Sequence, residues 1–302
     1  MSDTSRSKRR RFQYSLRTLL AVMVLVAVAM SWFAVKREQA RKQRETAETI
    51  WKSGGGVLYD THSRGPGWLR NLLGDNFPRN VAGVEFIGPK VTDAGLEHLK
   101  GFTQLKWLWL LRTQVTDAGL KRLKRLNQLQ VLHLDGTEVT DAGMENLKGL
   151  ISLKRLNLSR TRVTDAGLEH VKGLVSLEEL SLSDTQVTGV GLEHLKGLTR
   201  IWVLNLSGTQ AADAGLEHLK ALISLEGLDL SGTKVTDAGL QHLKALISLE
   251  RLNLSGTQVT DAGLEHLKGL MNLRLVSAPK TKVTRKGGDK FRQALPRCFI
   301  DY

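Results

Sequence analysis

The chain has 302 residues, 44 lysines and arginines against 30 acids, a net charge of +14 and one cysteine. A single cysteine excludes an intramolecular disulfide framework. The surplus charge sits at the ends, because residues 1–60 hold 12 basic and 5 acidic side chains and residues 282–302 hold 6 and 2, against 26 and 23 between them; so balanced a middle argues against nucleic acid as partner, which needs a basic stripe on the folded domain.

Residues 1–18 form a basic leader with six Lys and Arg, and residues 19–35 then pass without a charge. As a helix this run is about 26 Å long, close to the ~30 Å hydrocarbon core of a bilayer. Trp32 lies near its end, where interfacial aromatics are favoured. Three readings compete: an uncleaved signal-anchor, a cleaved signal peptide and a buried core helix. The A-x-A word Ala27-Val28-Ala29 lies inside the apolar run rather than after it, and no polar stripe interrupts the run, so the residues favour a single-pass transmembrane helix. Residues 36–52 read as a charged juxtamembrane stalk. They also carry six Lys and Arg, so the positive-inside count ties. The block of basic residues at 8–11, undiluted by acids, and the shortness of the leader favour a cytoplasmic leader, with the rest of the chain on the non-cytoplasmic side.

Residues 53–90 read as an N-terminal cap and half-repeat. Trp68, Leu69, Leu72 and Leu73 make one face of a short helix, and Val81, Val84 and Phe86 follow a strand pattern. Gly54-Gly55-Gly56 lacks the Gly-Lys-Ser/Thr that would complete a phosphate loop and reads as a flexible joint.

Residues 91–282 are eight contiguous copies of a 24-residue unit close to V-T-D-A-G-L-E-H-L-K-G-L-x-x-L-x-x-L-x-L-S-G-T-x. So short a period specifies a stack of similar coils rather than a globule. In the last copy Leu264 and Leu267 share a helix face, Thr260 or Asp261 is placed to cap the first turn, and Gly269 is expected to end the helix in the left-handed conformation. In the copy before it, Leu252 and Leu254 alternate with polar residues, as on a one-sided strand. Neither element can bury its apolar face alone, and stacking the copies solves this. The strand word L-x-x-L-x-L-x-x-T resembles the leucine-rich-repeat pattern, with Thr at 113, 137, 161, 185, 209, 233, 257 and 281 where that family has Asn or Cys. The words V-T-D-A-G-L-x-x-L are similar to the ribonuclease-inhibitor and F-box-adaptor branch. This resemblance implies an α/β leucine-rich-repeat solenoid, a right-handed horseshoe or arc. Phe12-Gln-Tyr-Ser-Leu-Arg-Thr-Leu-Leu20 before the apolar run resembles the membrane leader of planctomycete bacterial proteins, and implies a bacterial, membrane-anchored repeat protein.

Residues 283–302 read as a C-terminal cap. Residues 283–295 resemble a worn ninth helix, and Leu295-Pro-Arg-Cys298-Phe-Ile300 repeats the strand word with Cys298 in a leucine place, hence a core residue.

No catalytic constellation emerges: the chain holds no H-E-x-x-H, C-x-x-C or G-x-S-x-G word, so no enzyme activity, cofactor or small-molecule substrate is expected. His98, His170, His194, His218, His242 and His266 recur at one helical position, but evenly spaced copies do not converge on one ion, so no metal is expected. The aspartates at 93, 117, 141, 165, 213, 237 and 261 read as helix-start residues rather than calcium ligands. Copies five and six depart from the pattern at Gly189 and at Ala211-Ala212.

Outward strand positions vary within a fixed framework and are the natural binding face. Trp107, Trp109 and Leu111 place large apolar side chains there in the first copy, followed by Val131, His133 and Arg155, with Trp202 added as a further aromatic. An aromatic cluster of this kind marks either a protein-binding hot spot or the seat of a cap formed by residues 53–80. The expected function is a membrane-anchored, non-catalytic protein-interaction scaffold; the alternatives are a structural envelope protein without a specific ligand and a substrate adaptor for a ligase-like complex.

Overall fold

One-sided strands can hide their leucines only by pairing edge to edge over a second layer. The computed structural model, which describes residues 16–60 and 81–302, shows this arrangement. Eleven strands lie in chain order in one sheet among the described residues. They are β1 Gly55–Tyr59, β2 Val81–Ile87, β3 Trp107–Leu111, β4 Val131–His133, β5 Arg155–Asn157, β6 Glu179–Ser181, β7 Val203–Asn205, β8 Gly227–Asp229, β9 Arg251–Asn253, β10 Leu275–Ser277 and β11 Phe299–Asp301. From β2 onward the pairing is parallel, and every residue faces the one 24 positions later: Gly83 faces Trp107, Trp107 faces Val131, and Leu275 faces Phe299. The period of the sequence is therefore the register of the sheet. β1 alone runs antiparallel, along β2.

The inward side of the sheet carries the core. Leu108, Leu132, Leu156, Leu180, Leu204, Leu228 and Leu252 form one column, each at most 2% exposed. Full burial of such a side chain contributes about 1.5–3 kcal/mol, and stacking gives every coil but the last a neighbour on both sides. The other layer consists of short helices. In four of the eight copies one α-helical turn, such as Asp141–Met144 or Asp237–Leu240, tightens at once into a 3₁₀ turn. Thr116, Thr140, Thr164, Thr236 and Thr260 cap these turns, each hydroxyl accepting from the backbone N–H two residues on.

Two local expectations are corrected. Gly269 does not end its helix in the left-handed region. Chain reversal after the repeat helices passes instead through the next leucine, Leu222 and Leu246 having φ −85° with ψ 64° and 63°. The left-handed residue lies at the strand exit, three before the next valine or alanine: Gly136, Gly208, Gly232 and Gly256, with Arg112, Arg160, Asp184 and Lys280 at the equivalent place in other coils. There the threonine column closes each turn, Thr137, Thr161, Thr185, Thr209, Thr233 and Thr257 donating to the carbonyl three residues earlier at 2.6–2.7 Å. Thr113 is the exception, its hydroxyl buried without a partner.

The aspartates also do more than start helices. Asp141 reaches into the next coil, where Oδ1 accepts from the Thr164 backbone N–H at 2.8 Å and Oδ2 from the Thr164 hydroxyl at 2.6 Å. Asp93, Asp117, Asp165, Asp213, Asp237 and Asp261 do the same to the threonine 23 residues on. The glycine of the D-A-G word belongs to this clamp. At Gly143 a Cβ would stand 2.2 Å from Asp117 Oδ1, and at Gly167 2.4 Å from Asp141 Oδ1, so only glycine leaves room for the preceding carboxylate. The T-D-x-G word is thus a joint between coils rather than a property of one helix.

At the C-terminus the helix Arg285–Ala294 and β11 complete a further coil, with Phe291, Cys298 and Ile300 buried in the core. Burial pushes the Cys298 thiol up to about 11, as suits a packing residue rather than a nucleophile.

At the N-terminus one unbroken helix, Leu16–Lys52, spans both the apolar run and the stalk. Its segment Leu16–Val35 has a mean hydropathy of 2.4, with none of it buried. Its last turns bury Ala47 and Ile50 against the solenoid core. The chain then reverses through Ser53 and Gly54, the latter at φ +81°, into β1. Trp68, Leu69, Leu72 and Leu73 lie outside the described residues, as do the first fifteen.

Candidate binding face

Parallel pairing at a constant 24-residue offset converts the outward strand positions into straight rows across the sheet. The first row runs Leu58, Gly83, Trp107, Val131, Arg155, Glu179, and the second Glu85, Trp109, His133, Asn157, Ser181. Trp107, Trp109, Leu111, Val131 and His133 are half-buried and Arg155 is exposed. The structure brings these six together on the first three coils. It also adds two apolar neighbours that pattern reading missed. Leu58 of β1 stands beside Trp107 across Gly83, where a Cβ would meet both side chains at 3.2 Å. Ile87, 57% exposed, pairs with Leu111. The antiparallel β1, which no repeat announces, is the reason Leu58 was not foreseen.

The electrostatics of the patch are local. The Trp109 and His133 rings meet edge to face, centroids 6.4 Å apart at 77°. Burial lowers the His133 pKa below its ordinary value, with Arg155 acting in the same sense and Asp135 against it. Asp135 accepts from Arg160 through Oδ2 at 2.5 Å, while its Oδ1 is buried without a hydrogen bond. Arg155 pairs with Glu179 at 3.1 Å.

Trp202 does not join this cluster. It occupies the position before β7, four coils away, in line with Glu178 and Glu226 at the edge of the sheet.

Later coils use the same outward positions differently. Asn157, Asn205, Asp229 and Asn253 each accept, through Oδ1, the backbone N–H two residues on, at 2.8–3.0 Å. Their side chains finish the strand end, which accounts for the repeated N-L-S and D-L-S words. Asn205, Asp229 and Asn253 also line a shallow groove of about 320 Å³ centred on Gly227, between Val203 and Arg251.

The repeated histidines are half-buried along the helical layer, and His170 Nδ1 is buried without a partner. Among the described residues no three potential metal ligands come together.

Comparison with known proteins agrees with this geometry. Residues 127–187 and 151–210 match a family model described as Leucine rich repeat, and residues 221–244 and 245–268 match a second, Leucine Rich repeat. Among solved structures, an internalin C2 from Listeria monocytogenes is similar at 28% identity and a TM-score of 0.55, over 66% of this chain and 80% of that one. A leucine-rich-repeat protein of Leptospira interrogans is similar in fold at 22% identity and a TM-score of 0.51, over 68% of this chain and 57% of that one. No curated protein matches the chain in sequence. The fold is a leucine-rich-repeat solenoid, a class that generally mediates protein–protein interaction and is typically non-catalytic.

Proposed function

We propose that this leucine-rich-repeat solenoid is a non-catalytic interaction scaffold, held at a membrane by residues 19–35, whose protein partner docks on the first coils of the concave sheet. The observation that carries the reading is the contrast along the rows. Coils one and two present Trp107, Trp109, Leu111, Val131 and His133, flanked by Leu58 and Ile87, whereas coils three, five, six and seven continue the row of Trp109 and His133 with Asn or Asp tied to its own backbone. Large aromatic side chains in a polar surround are the usual centre of a binding hot spot.

Replacing Trp107 and Trp109 by alanine tests this. Loss of proximity labelling of a defined partner in the native cell, with the melting temperature kept within a degree or two, supports docking. A fall of many degrees with labelling unchanged assigns the tryptophans to a cap. The membrane reading rests on the exposed apolar helix and its flanking charges; retention in the pellet after alkaline carbonate, with an intact N-terminus by mass, distinguishes an anchor from a cleaved signal. The basic block at residues 8–11 and the shortness of the leader support a cytoplasmic N-terminus with the solenoid on the other side, which protease access to spheroplasts checks.

The repeated Asn-Leu-Ser-Gly-Thr strands support a second reading, a structural envelope protein without a specific ligand. Labelling spread evenly over many neighbours and unchanged by the tryptophan variants would favour it.

A further inference from the structure

The two long edges of the solenoid differ in charge and in apolarity, and the anchor helix leaves from one of them. The last turns of helix Leu16–Lys52 pack in the core, and the two-residue turn at Ser53 and Gly54 sends the chain back along β1. β1 is antiparallel to β2 and to all the strands parallel with it. The helix therefore runs in the sense of β2 to β11, and its apolar part projects beyond the edge at which those strands begin. No more than twelve residues, about 18 Å of helix, separate buried Ala47 from Val35.

That edge is built from the eight helix-to-strand turns, residues 100–106 and every equivalent segment to 268–274. Together these turns hold thirteen basic and three acidic residues, a net of +10. The eight turns of the opposite edge, residues 87–93 to 255–261, hold five basic and ten acidic, a net of −5. Each turn of the first edge opens with a lysine. Lys100, Lys172, Lys220 and Lys268 pair with a glutamate one helical turn back, and such exposed pairs hold their lysines weakly. Three residues after the lysine stands an aliphatic side chain in five of the eight turns: Ile151, Val175, Ile223, Ile247 and Met271 are 57–76% exposed. Registered stacking makes them a ridge flanked by lysines, interrupted at Thr199 and absent from the first two coils.

We propose that this basic, aliphatic-ridged edge rests on the surface of the same anionic bilayer that the N-terminal helix crosses. The inference rests on the anchor reading of residues 19–35. Strands run parallel to the anchor, so an anchor standing across the bilayer lays the row of coils along its surface. Curvature of a stack of parallel strands turns about an axis parallel to them, so bending of the arc lifts no coil away. Lysines then meet anionic headgroups while the aliphatic ridge enters the interface, the arrangement that holds amphipathic helices at membrane surfaces. The concave face opens sideways, parallel to the membrane.

The test uses the full chain reconstituted in phosphatidylcholine vesicles, with and without phosphatidylglycerol. An environment-sensitive fluorophore is attached at Ile247→Cys on the ridge or at Gln258→Cys on the opposite edge; Cys298, buried and with a raised pKa, does not compete for it. Brominated lipids are expected to quench the label at 247 several-fold more than the label at 258. The contrast should shrink without phosphatidylglycerol, in high salt, and with Lys196→Glu and Lys244→Glu. Equal quenching at both positions, or stronger quenching at 258, in chains that stay with the vesicles through alkaline carbonate overturns the proposal and leaves the anchor standing. Release of the chain by carbonate overturns the anchor and, with it, the orientation built on it.

Discussion

Seven of the joints between consecutive coils carry the aspartate clamp, and the joint between coils five and six does not. At a regular joint, such as that between coils three and four, Asp141 binds the backbone and hydroxyl of Thr164 while Gly167 makes room for the carboxylate. At the odd joint Gly189 stands where the aspartate belongs and Ala212 where its threonine belongs. Two lapses that look unrelated in sequence are the two halves of one missing contact. Without the carboxylate the backbones draw together: a Cβ at Gly215 would stand 2.2 Å from Gly189 Cα, against 3.2 Å from Asp117 Cα at Gly143. The sheet hardly registers the change, since Val203, Leu204 and Asn205 still pair with Gly227, Leu228 and Asp229. Polar clamps on the helical layer are therefore separable from strand pairing, and one joint dispenses with them.

The difference predicts a graded series of stability effects. Gly143→Ala should be the most damaging, at about 3 kcal/mol, because the new methyl both overpacks the joint and displaces the Asp117 carboxylate; urea unfolding of the wild type and the variant measures it. Asp141→Ala removes two charge-assisted hydrogen bonds and should cost about 2 kcal/mol, with faster hydrogen exchange at the Thr164 amide as its local signature. Building the missing clamp, Gly189→Asp together with Ala212→Thr, should give a double-mutant coupling of about 1–2 kcal/mol in favour of the pair, even if Gly189→Asp alone destabilises by forcing Gly215 away. A coupling near zero would mean that the closed-up backbones no longer admit the clamp. Ala212→Thr alone should stabilise by about 0.5–1 kcal/mol, because its hydroxyl would cap the turn by accepting from the Ala214 N–H as Thr236 accepts from that of Ala238.

Legibility in the sequence followed the range of each interaction. The strand rows were readable because alternation and a 24-residue period are visible within a few residues, and so the cluster of Trp107, Trp109 and Leu111 was placed from pattern alone. The role of Asp141 was not, because an aspartate after a threonine satisfies the local rules for a helix start equally well, and its true partner is 23 residues away. Gly269 was misjudged for a related reason: the helix tightens to 3₁₀ and leaves through a leucine, so a left-handed glycine is needed only at the strand exit. Trp202 fell outside the cluster because its position precedes the strand by one residue, which moves it from the sheet face to the edge. Leu58 belongs to the patch only through the antiparallel pairing of β1.

By itself the sequence determined the leucine-rich-repeat solenoid, the register of its parallel sheet and the apolar N-terminal segment, because each is written in repeat length, alternation or composition. The tertiary structure decided what the repeats do to one another: which carboxylate clamps which coil, where the clamp is missing, and how a nearly balanced charge divides into a basic edge and an acidic one. Those properties belong to contacts and directions between coils, and only folding brings residues 23 or 24 apart within reach of a hydrogen bond.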